Sequence, residues 1–514
     1  MSDRKRTSRR RFIAGTAVAG AGALATVTSR AAAQTPTPTA EATGTPGQQY
    51  DVVVAGSGLG GLAAALAAAQ EGASVLLIEA SQETGGTALF SGGAIHVWGA
   101  ETFEDLQRRV PLLDPKLGRV LMENYSDTLE WLRATDVEWP EMSPALTIAL
   151  GENSLSIGDT YEQKRETIDQ WVQAIEAAGG EVLTGMRAVS LIQDDDRRVT
   201  GLRVADASDE YSDIMAGMAV ILATGAFPAN PEMMVKYYGP FADLAVIRAV
   251  PYNKGDAMLM GEEIGARMSR AIATYYGHLQ AWPPIVPQDE ESYEQFDKQL
   301  LRELMGAVQG YEPSSVLVNM HGRRFVDESL GDDIANQELI FQPLARGFMI
   351  VDSAMAVSTA NLELLEENGG VVLAADSLDE LVQMIAEYGI DSTTLMSTLD
   401  EYNQAIEEGT ASELSPARSG NLQGLLQPPF YAVQVAPGVS ASYGGLMINE
   451  NGQVLGRNMH PIPGLYAAPH AAGGIFYRDY GGSLALCTVF GRIAGMSAAR
   501  EGSAAAMAKA VGGL

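Results

Sequence analysis

Tyr50-Asp51-Val52-Val53-Val54-Ala55-Gly56-Ser57-Gly58-Leu59-Gly60-Gly61 decides the fold of this chain. Tyr50 to Ala55 reads as a short buried strand, and an alanine-rich helix is expected from Leu59 to Glu71. Between them stands Gly56-x-Gly58-x-x-Gly61. Gly56 permits the tight turn, Gly58 lets backbone approach a pyrophosphate, and Gly61 lets the helix pack on the strand. The helix N-terminus, with the backbone of Leu59 and Gly60, offers free N–H groups and the positive end of a dipole to phosphate. Ser74 to Glu79 reads as a second strand, which completes a βαβ unit and leaves Glu79 placed for ribose hydroxyls. The unit specifies a dinucleotide and leaves NAD and FAD open.

Upstream lies a separate object. Ser8-Arg9-Arg10-Arg11-Phe12-Ile13 is a twin-arginine signature, followed by a mildly apolar run from Ile13 to Val27 and by Ala31-Ala32-Ala33, small residues suited to a signal peptidase. Residues 1–33 are therefore expected to be a twin-arginine signal peptide, and 34–49, rich in Thr, Pro and Gly, a flexible linker. That route exports folded proteins, which suits an enzyme that loads a cofactor before crossing to the periplasm or another extracytoplasmic space. The chain has no run of eighteen apolar residues, so no integral membrane segment is expected in the mature protein.

Lys and Arg total 34 against 64 Asp and Glu, a net charge of −30, which argues against nucleic acid or an anionic membrane as partner. Only Cys487 is present, so neither an intrachain disulfide nor a haem or iron–sulfur site is available, and no metal site is expected. Electrons that leave by a wire would need a separate donor or acceptor protein.

Downstream, strands are expected at Glu181–Thr184, on either side of the acidic turn Asp194–Asp196, and at Ala219–Ala223. The block 251–424 alternates helices and loops, including acidic helices at Glu363–Glu367 and Asp379–Glu387. Strands then return at Phe430–Val435 and Gly444–Ile448, before a final helix from Ala485 to Glu501. The expected architecture is α/β with an α+β cap. A Rossmann-like dinucleotide domain, 50–250 and 425–514, is interrupted by an inserted capping and substrate domain, 251–424.

Gly85-Gly86-Thr87 with Ser91-Gly92-Gly93 resembles the second glycine cluster of the fumarate reductase and succinate dehydrogenase flavoprotein family. Ala223-Thr224-Gly225-Ala226-Phe227, Gly255-Asp256-Ala257, Arg324-Phe325-Val326-Asp327-Glu328 and Ile462-Pro463-Gly464-Leu465-Tyr466-Ala467 fit the same family, as does the closing Gly481-Gly482-Ser483-Leu484. The resemblance implies FAD and a cap closing over its ring. It places Ser483 and Leu484 by the flavin's pyrimidine edge, the backbone at Ala188-Val189 by the adenine, and Gly92 and Gly93 close to the ring. Where relatives carry Gly-Glu or Gly-Asn near the ribityl chain, this chain has Pro469-His470, with His470 expected as a replacement hydrogen-bond donor.

The same family moves hydride between flavin N5 and a carbon beside a carbonyl- or carboxylate-activated C–C or C=C bond. Its fumarate-reducing arginine, four residues after the glutamate matched by Glu328, is here Asp332, and the family histidine of His-Thr-Met-Gly-Gly is replaced at Ala441-Ser442-Tyr443. Fumarate is thus disfavoured as the small-molecule substrate. The tricarballylate dehydrogenase branch is similar at Gly473 to Gly482 and puts Arg478 at the carboxylate-clamping position, with His278 facing substrate. Asp332 or Asp333 is a candidate base, and Tyr443, Tyr477 and Tyr480 are candidate phenol acids or pocket lining. Two alternatives stay open: a ketosteroid dehydrogenase-like enzyme and a non-catalytic flavin electron carrier.

Overall fold

The computed structural model describes residues 49–512 apart from 143, 152, 356 and 357, so the expected signal peptide and nearly all of the expected linker lie outside the described residues. Val52, Val53 and Val54 are fully buried, and Val75–Ile78 is buried throughout. Strands covered on both faces belong in the middle of a parallel sheet. The first strand, Gln49–Ala55, pairs in parallel with Val75–Ile78 on one side and Tyr211–Leu222 on the other. Glu181–Leu183 and Pro461–Ala467 extend the parallel sheet outward, and Gln453–Leu455 closes one edge antiparallel. Arg187–Gln193 and Val199–Ala205 form an antiparallel ribbon on the long strand, turning at the acidic segment read from the sequence.

The helix Leu59–Gln70 lies against the last helix, Ser483–Gly512. A Cβ on Gly491 would stand 2.3 Å from the Gly60 carbonyl oxygen, and one on Gly495 would stand 2.2 Å from that of Ala64. The seam is closed by small residues, which fixes the start of the last helix beside the phosphate loop.

The block 251–424 carries the sheet that an α+β cap implies, on strands that its reading as alternating helices and loops did not place. Val316–Asn319, Gly347–Asp352, Val372–Ala375 and Gln280–Ala281 join Phe430–Ala436 in a five-stranded antiparallel sheet. Phe430–Ala436 was expected in the dinucleotide part, 425–514; its hydrogen bonds put it in the cap sheet instead, so the boundary at 424 does not follow strand pairing. Val316–Asn319 and Gly347–Asp352 are buried at every position and show no alternation to mark them. Thr359–Glu367, Leu378–Ala386 and Ser392–Glu408 are the helices of this layer, and the last two help close its core around Leu381, Ile385, Leu395 and Leu399. No described helix is long and apolar enough to cross a membrane.

Candidate active site

A cavity of about 540 Å³ runs from the phosphate loop to the underside of the cap layer. Gly56, Gly58, Leu59 and Gly60 line its start. Gly56 has φ +100°, and a Cβ on Gly61 would lie 1.7 Å from the Gly56 carbonyl oxygen, so Gly61 sits behind the loop and holds strand to helix. A Cβ on Gly58 would meet nothing within 4 Å, and no side chain caps the helix that follows. The loop therefore presents open backbone and unspent helix N–H groups, the donor set a pyrophosphate needs.

Glu79 lines the cavity and also braces the loop. Its Oε2 accepts from Ser57 N and Oγ at 2.8 and 2.7 Å, and its Oε1 accepts from Ser81 N at 2.9 Å. Gly86, Thr87, Ser91, Gly92, Gly93, Thr224 and Gly225 all border the same space, and a Cβ on Gly92 would again meet nothing within 4 Å. Gly85 stands one layer back, donating to the Ser57 carbonyl at 3.1 Å. Ser483 and Leu484 begin the last helix at the far end, and Ser483 Oγ is buried with no partner. An open glycine cradle at one end and an orphaned hydroxyl at a helix N-terminus at the other fit an extended dinucleotide such as FAD.

Two cofactor expectations change. Val189 is 39% exposed and does not border the cavity; Ala188 does, because a register shift between Ala188 and Ser190 turns Val189 outward. His470 borders the cavity, but its Nδ1 lies 3.1 Å from the Ser442 carbonyl, which only accepts. Nδ1 therefore carries the proton, and Nε2 offers the cavity an acceptor rather than the expected donor. Burial pushes this imidazole down to about 4, so it stays neutral. His96, which the sequence did not single out, is the complement. Its Nδ1 accepts from Trp98 N at 2.7 Å, which leaves Nε2–H as the donor, and burial also lowers it to about 4.

The reactive end assembles differently from the sequence reading. His278 and Asp332, 54 residues apart, meet directly: His278 Nδ1 bonds Asp332 Oδ2, and His278 Nε2 lies 2.8 Å from Tyr276 Oη. The carboxylate fixes Nδ1–H, so Nε2 accepts from the tyrosine. Burial, then the charge of Arg248, lowers His278. Burial works to raise Asp332, but the hydrogen bond and charge of His278 with the charge of Arg248 outweigh it and hold the group below the usual carboxylate range. Burial and the neighbouring Asp332 push Asp333 well above it. Ligand atoms of His278, Asp332 and Asp333 come within 4.8 Å of one another. Both imidazole nitrogens are spent on Asp332 and Tyr276, which disfavours a metal there.

Arg478 does not reach this site. Its backbone is left-handed, φ +66°, its half-exposed side chain bonds Glu338 Oε1 at 2.8 Å, and it does not border the cavity. The expected clamp is a surface ion pair. Of the three tyrosines, only Tyr480 lines the cavity; Tyr443 is buried with its hydroxyl unpartnered and Tyr477 lies outside it.

The cation at the reactive end is Arg248, which sequence reasoning missed. It is buried, and all three guanidinium nitrogens bond neutral acceptors: Met305 O at 3.1 Å, Ser440 Oγ at 2.9 Å and Gln309 Oε1 at 3.1 Å. No carboxylate pairs with it among the described residues, so its charge faces the cavity beside His278. Only its place at the end of the apolar run Ala245-Val246-Ile247 hints at this. Tyr276 stacks on Tyr480 with centroids 4.2 Å apart, Trp98 meets Tyr480 edge-on at 5.8 Å, and the Arg109 guanidinium lies 4.5 Å over Trp98. The cavity thus has one aromatic wall.

A dinucleotide cradle opening onto a buried proton-handling site defines a flavoprotein oxidoreductase. A family model described as "FAD binding domain" matches residues 51–484, and the chain belongs to this family. A probable fumarate reductase of Shewanella frigidimarina is 28% identical over 472 residues, 89% of this chain and 76% of that one. A 3-oxosteroid 1-dehydrogenase of Mycolicibacterium smegmatis is 24% identical over 89% of this chain and 98% of its own length. Among solved structures, the open conformation of a flavocytochrome c3 fumarate reductase superposes with a TM-score of 0.67 at 26% identity, over 89% of this chain and 79% of that one. The chain is accordingly an FAD-dependent oxidoreductase of the fumarate reductase and ketosteroid dehydrogenase type.

Proposed function

We propose that this enzyme is exported by the twin-arginine route and moves a hydride and a proton between FAD and an α,β-saturated or unsaturated carbonyl or carboxylate compound other than fumarate. The observation that carries the reading is the chain Tyr276–His278–Asp332 beside an arginine with no carboxylate partner. Bound FAD supplies the two-electron hydride exchange at N5. Gly58 and the helix start at Leu59 hold its pyrophosphate, Glu79 its ribose, Ala188 the adenine side, His470 Nε2 a ribityl hydroxyl, and Ser483 the ring edge.

In the dehydrogenating direction, Tyr276 takes the proton α to the carbonyl while its own proton passes to His278 Nε2. Asp332 holds the resulting imidazolium through Nδ1–H, and Arg248 donates to the oxygen that gains charge. In the reducing direction the same proton returns from His278 through Tyr276 to carbon. Both directions use one set of groups, and the separate electron partner decides which runs.

Support for a substrate other than fumarate comes from Asp332 and Ala441 at the positions named above and from Arg478, whose side chain is committed to Glu338. Export rests on Ser8 to Ile13 and the small residues at 31–33. Replacing Arg9 and Arg10 with Lys should retain the protein in the cytoplasm, as read by fractionation of the producing cell. Equal export of the variant removes that part of the proposal. For the chemistry, the reduced holoenzyme is mixed without oxygen with enoates and enones, and oxidised flavin is followed. An electron carrier without substrate chemistry gives no return of colour with any of them.

A further inference from the structure

Arg302 sits on the helix Lys298–Gly306, on the turn before Gly306, and both residues border the cavity. Its guanidinium makes no hydrogen bond and no ion pair with any described residue, and its Nε is buried without a partner. That is unusual on two counts. A buried donor left unpaired is costly, and native structures leave few of them. The chain also carries 64 acidic residues against 34 basic ones, so carboxylates to neutralise an arginine are abundant.

The surroundings add charge of the same sign. Lys164 is fully buried, donates to the Asp159 carbonyl at 3.1 Å, and is pushed down to about 7 by burial and by Arg302. Arg248 is tied to the next turns of the same segment through Met305 O and Gln309 Oε1. The two arginines therefore stand along one wall, joined by residues 302 to 309. Arg248 commits three of its five N–H groups to fixed acceptors, keeps two for substrate, and lies by Tyr276 and His278. Arg302 is unspent and lies further along.

We propose that Arg302 is a second anion subsite, which holds a carboxylate or phosphate group of the substrate remote from the bond that reacts. This rests on the oxidoreductase reading above and adds a requirement to it: a substrate with a negative group beyond the one polarised at Arg248. A planar guanidinium with all its donors free suits such an oxyanion, because two N–H groups meet two oxygens at once.

The test has two arms. In the first, thermal melting of the full chain loaded with FAD is followed with and without inorganic phosphate. Because Arg302 holds nothing among the described residues, Arg302→Met should melt no lower than wild type, and phosphate should raise the melting temperature of wild type only. A structural role for Arg302 predicts the reverse, a variant that melts lower. In the second arm, reduced holoenzyme is reoxidised without oxygen by 2-hexenoate or 2-hexenedioate, which differ only in the distal carboxylate. The dianion should show a KM lower by about tenfold or more. Arg302→Met should bring the two KM values together, and Arg302→Lys should restore part of the difference.

Equal KM values in wild type, or an undiminished preference in Arg302→Met, overturn the proposal. Stabilisation by phosphate with equal KM values would assign the site to a free inorganic anion and overturn its assignment to substrate. If neither acid reoxidises the flavin, the oxidoreductase reading fails for these acceptors, and the melting arm alone decides whether Arg302 binds an anion.

Discussion

Asp332 and Asp333 are neighbours in the chain and border the same cavity, yet their surroundings drive their carboxyl groups in opposite directions. Asp332 Oδ2 is bonded to His278, and that bond with the charge of Arg248 outweighs burial and holds its carboxyl below the usual carboxylate range. Asp333 Oδ1 is buried with no partner among the described residues, and burial with the adjacent negative charge pushes this carboxyl well above the usual carboxylate range. Two carboxyls pushed apart in this way take different roles. Asp332 holds the histidine through Nδ1, and Asp333 keeps its proton to higher pH than its neighbour.

Their stability effects should differ in sign. The folded pKa of Asp333 lies above its unfolded value near 3.9, so the folded state keeps a proton that the unfolded chain releases, and stability falls as pH rises through that window. Asp333→Asn removes this penalty and should be more stable than wild type at pH 7, with the gain shrinking toward pH 4. Asp332 behaves the other way. Its lowered pKa contributes stability above the unfolded value and loses it as pH falls through the folded one. Asp332→Asn should therefore be destabilised at pH 7. Urea denaturation at pH 4, 5.5 and 7 measures both, and a destabilised Asp333→Asn at neutral pH contradicts the assignment.

Arg248 should matter to the transition state more than to binding. Its donors are fixed by three neutral acceptors, the preorganisation that lets a cation stabilise developing charge. Arg248→Met should lower kcat by about 10²–10³-fold with the flavin still bound. Steady-state kinetics at a fixed flavin content checks it, and a change confined to KM is the wrong outcome.

Arg478 should be nearly silent. Its pair with Glu338 is 2.8 Å long and about half exposed, so Arg478→Ala should cost less than about 1 kcal/mol of stability. Turnover should stay within about threefold of wild type, well short of one lost transition-state contact. A collapse in turnover would restore it as the substrate clamp.

Gly58 separates folding from cofactor loading. A Cβ there meets no protein atom within 4 Å, so Gly58→Val should fold with a melting temperature close to that of the wild-type apoprotein. The added side chain occupies the pyrophosphate's path, and FAD affinity should fall by about 100-fold, roughly two losses of 1.4 kcal/mol. Quenching of flavin fluorescence on titration reads this directly. Unchanged affinity would move the phosphates elsewhere.

The sequence made the cofactor end legible because its determinants are local. Three glycines at fixed spacing, a strand before and a helix after, and Glu79 on the next strand all act within about thirty residues. The reactive end is tertiary. Tyr276, His278 and Asp332 meet only after 54 residues fold back, and Arg248 carries no spacing signal at all. Arg478 was misplaced for a backbone reason: similarity over Gly473 to Gly482 does not reveal a left-handed φ that turns the side chain outward. At Ala188-Val189 one extra residue in the strand leaves Ala188 at the cavity and turns the Val189 side chain outward. The positions of the cap strands escaped because strands buried on both faces lack the alternation that marks a strand.

In the proposed reaction Tyr276 and His278 pass the proton that accompanies hydride exchange with FAD. The most direct measurement is anaerobic stopped-flow reoxidation of reduced holoenzyme by its best unsaturated acceptor, compared with Tyr276→Phe and His278→Ala at equal flavin content. Both variants should keep their FAD and lose about 10²–10⁴-fold in reoxidation rate. Rates in either variant within a few-fold of wild type would contradict it.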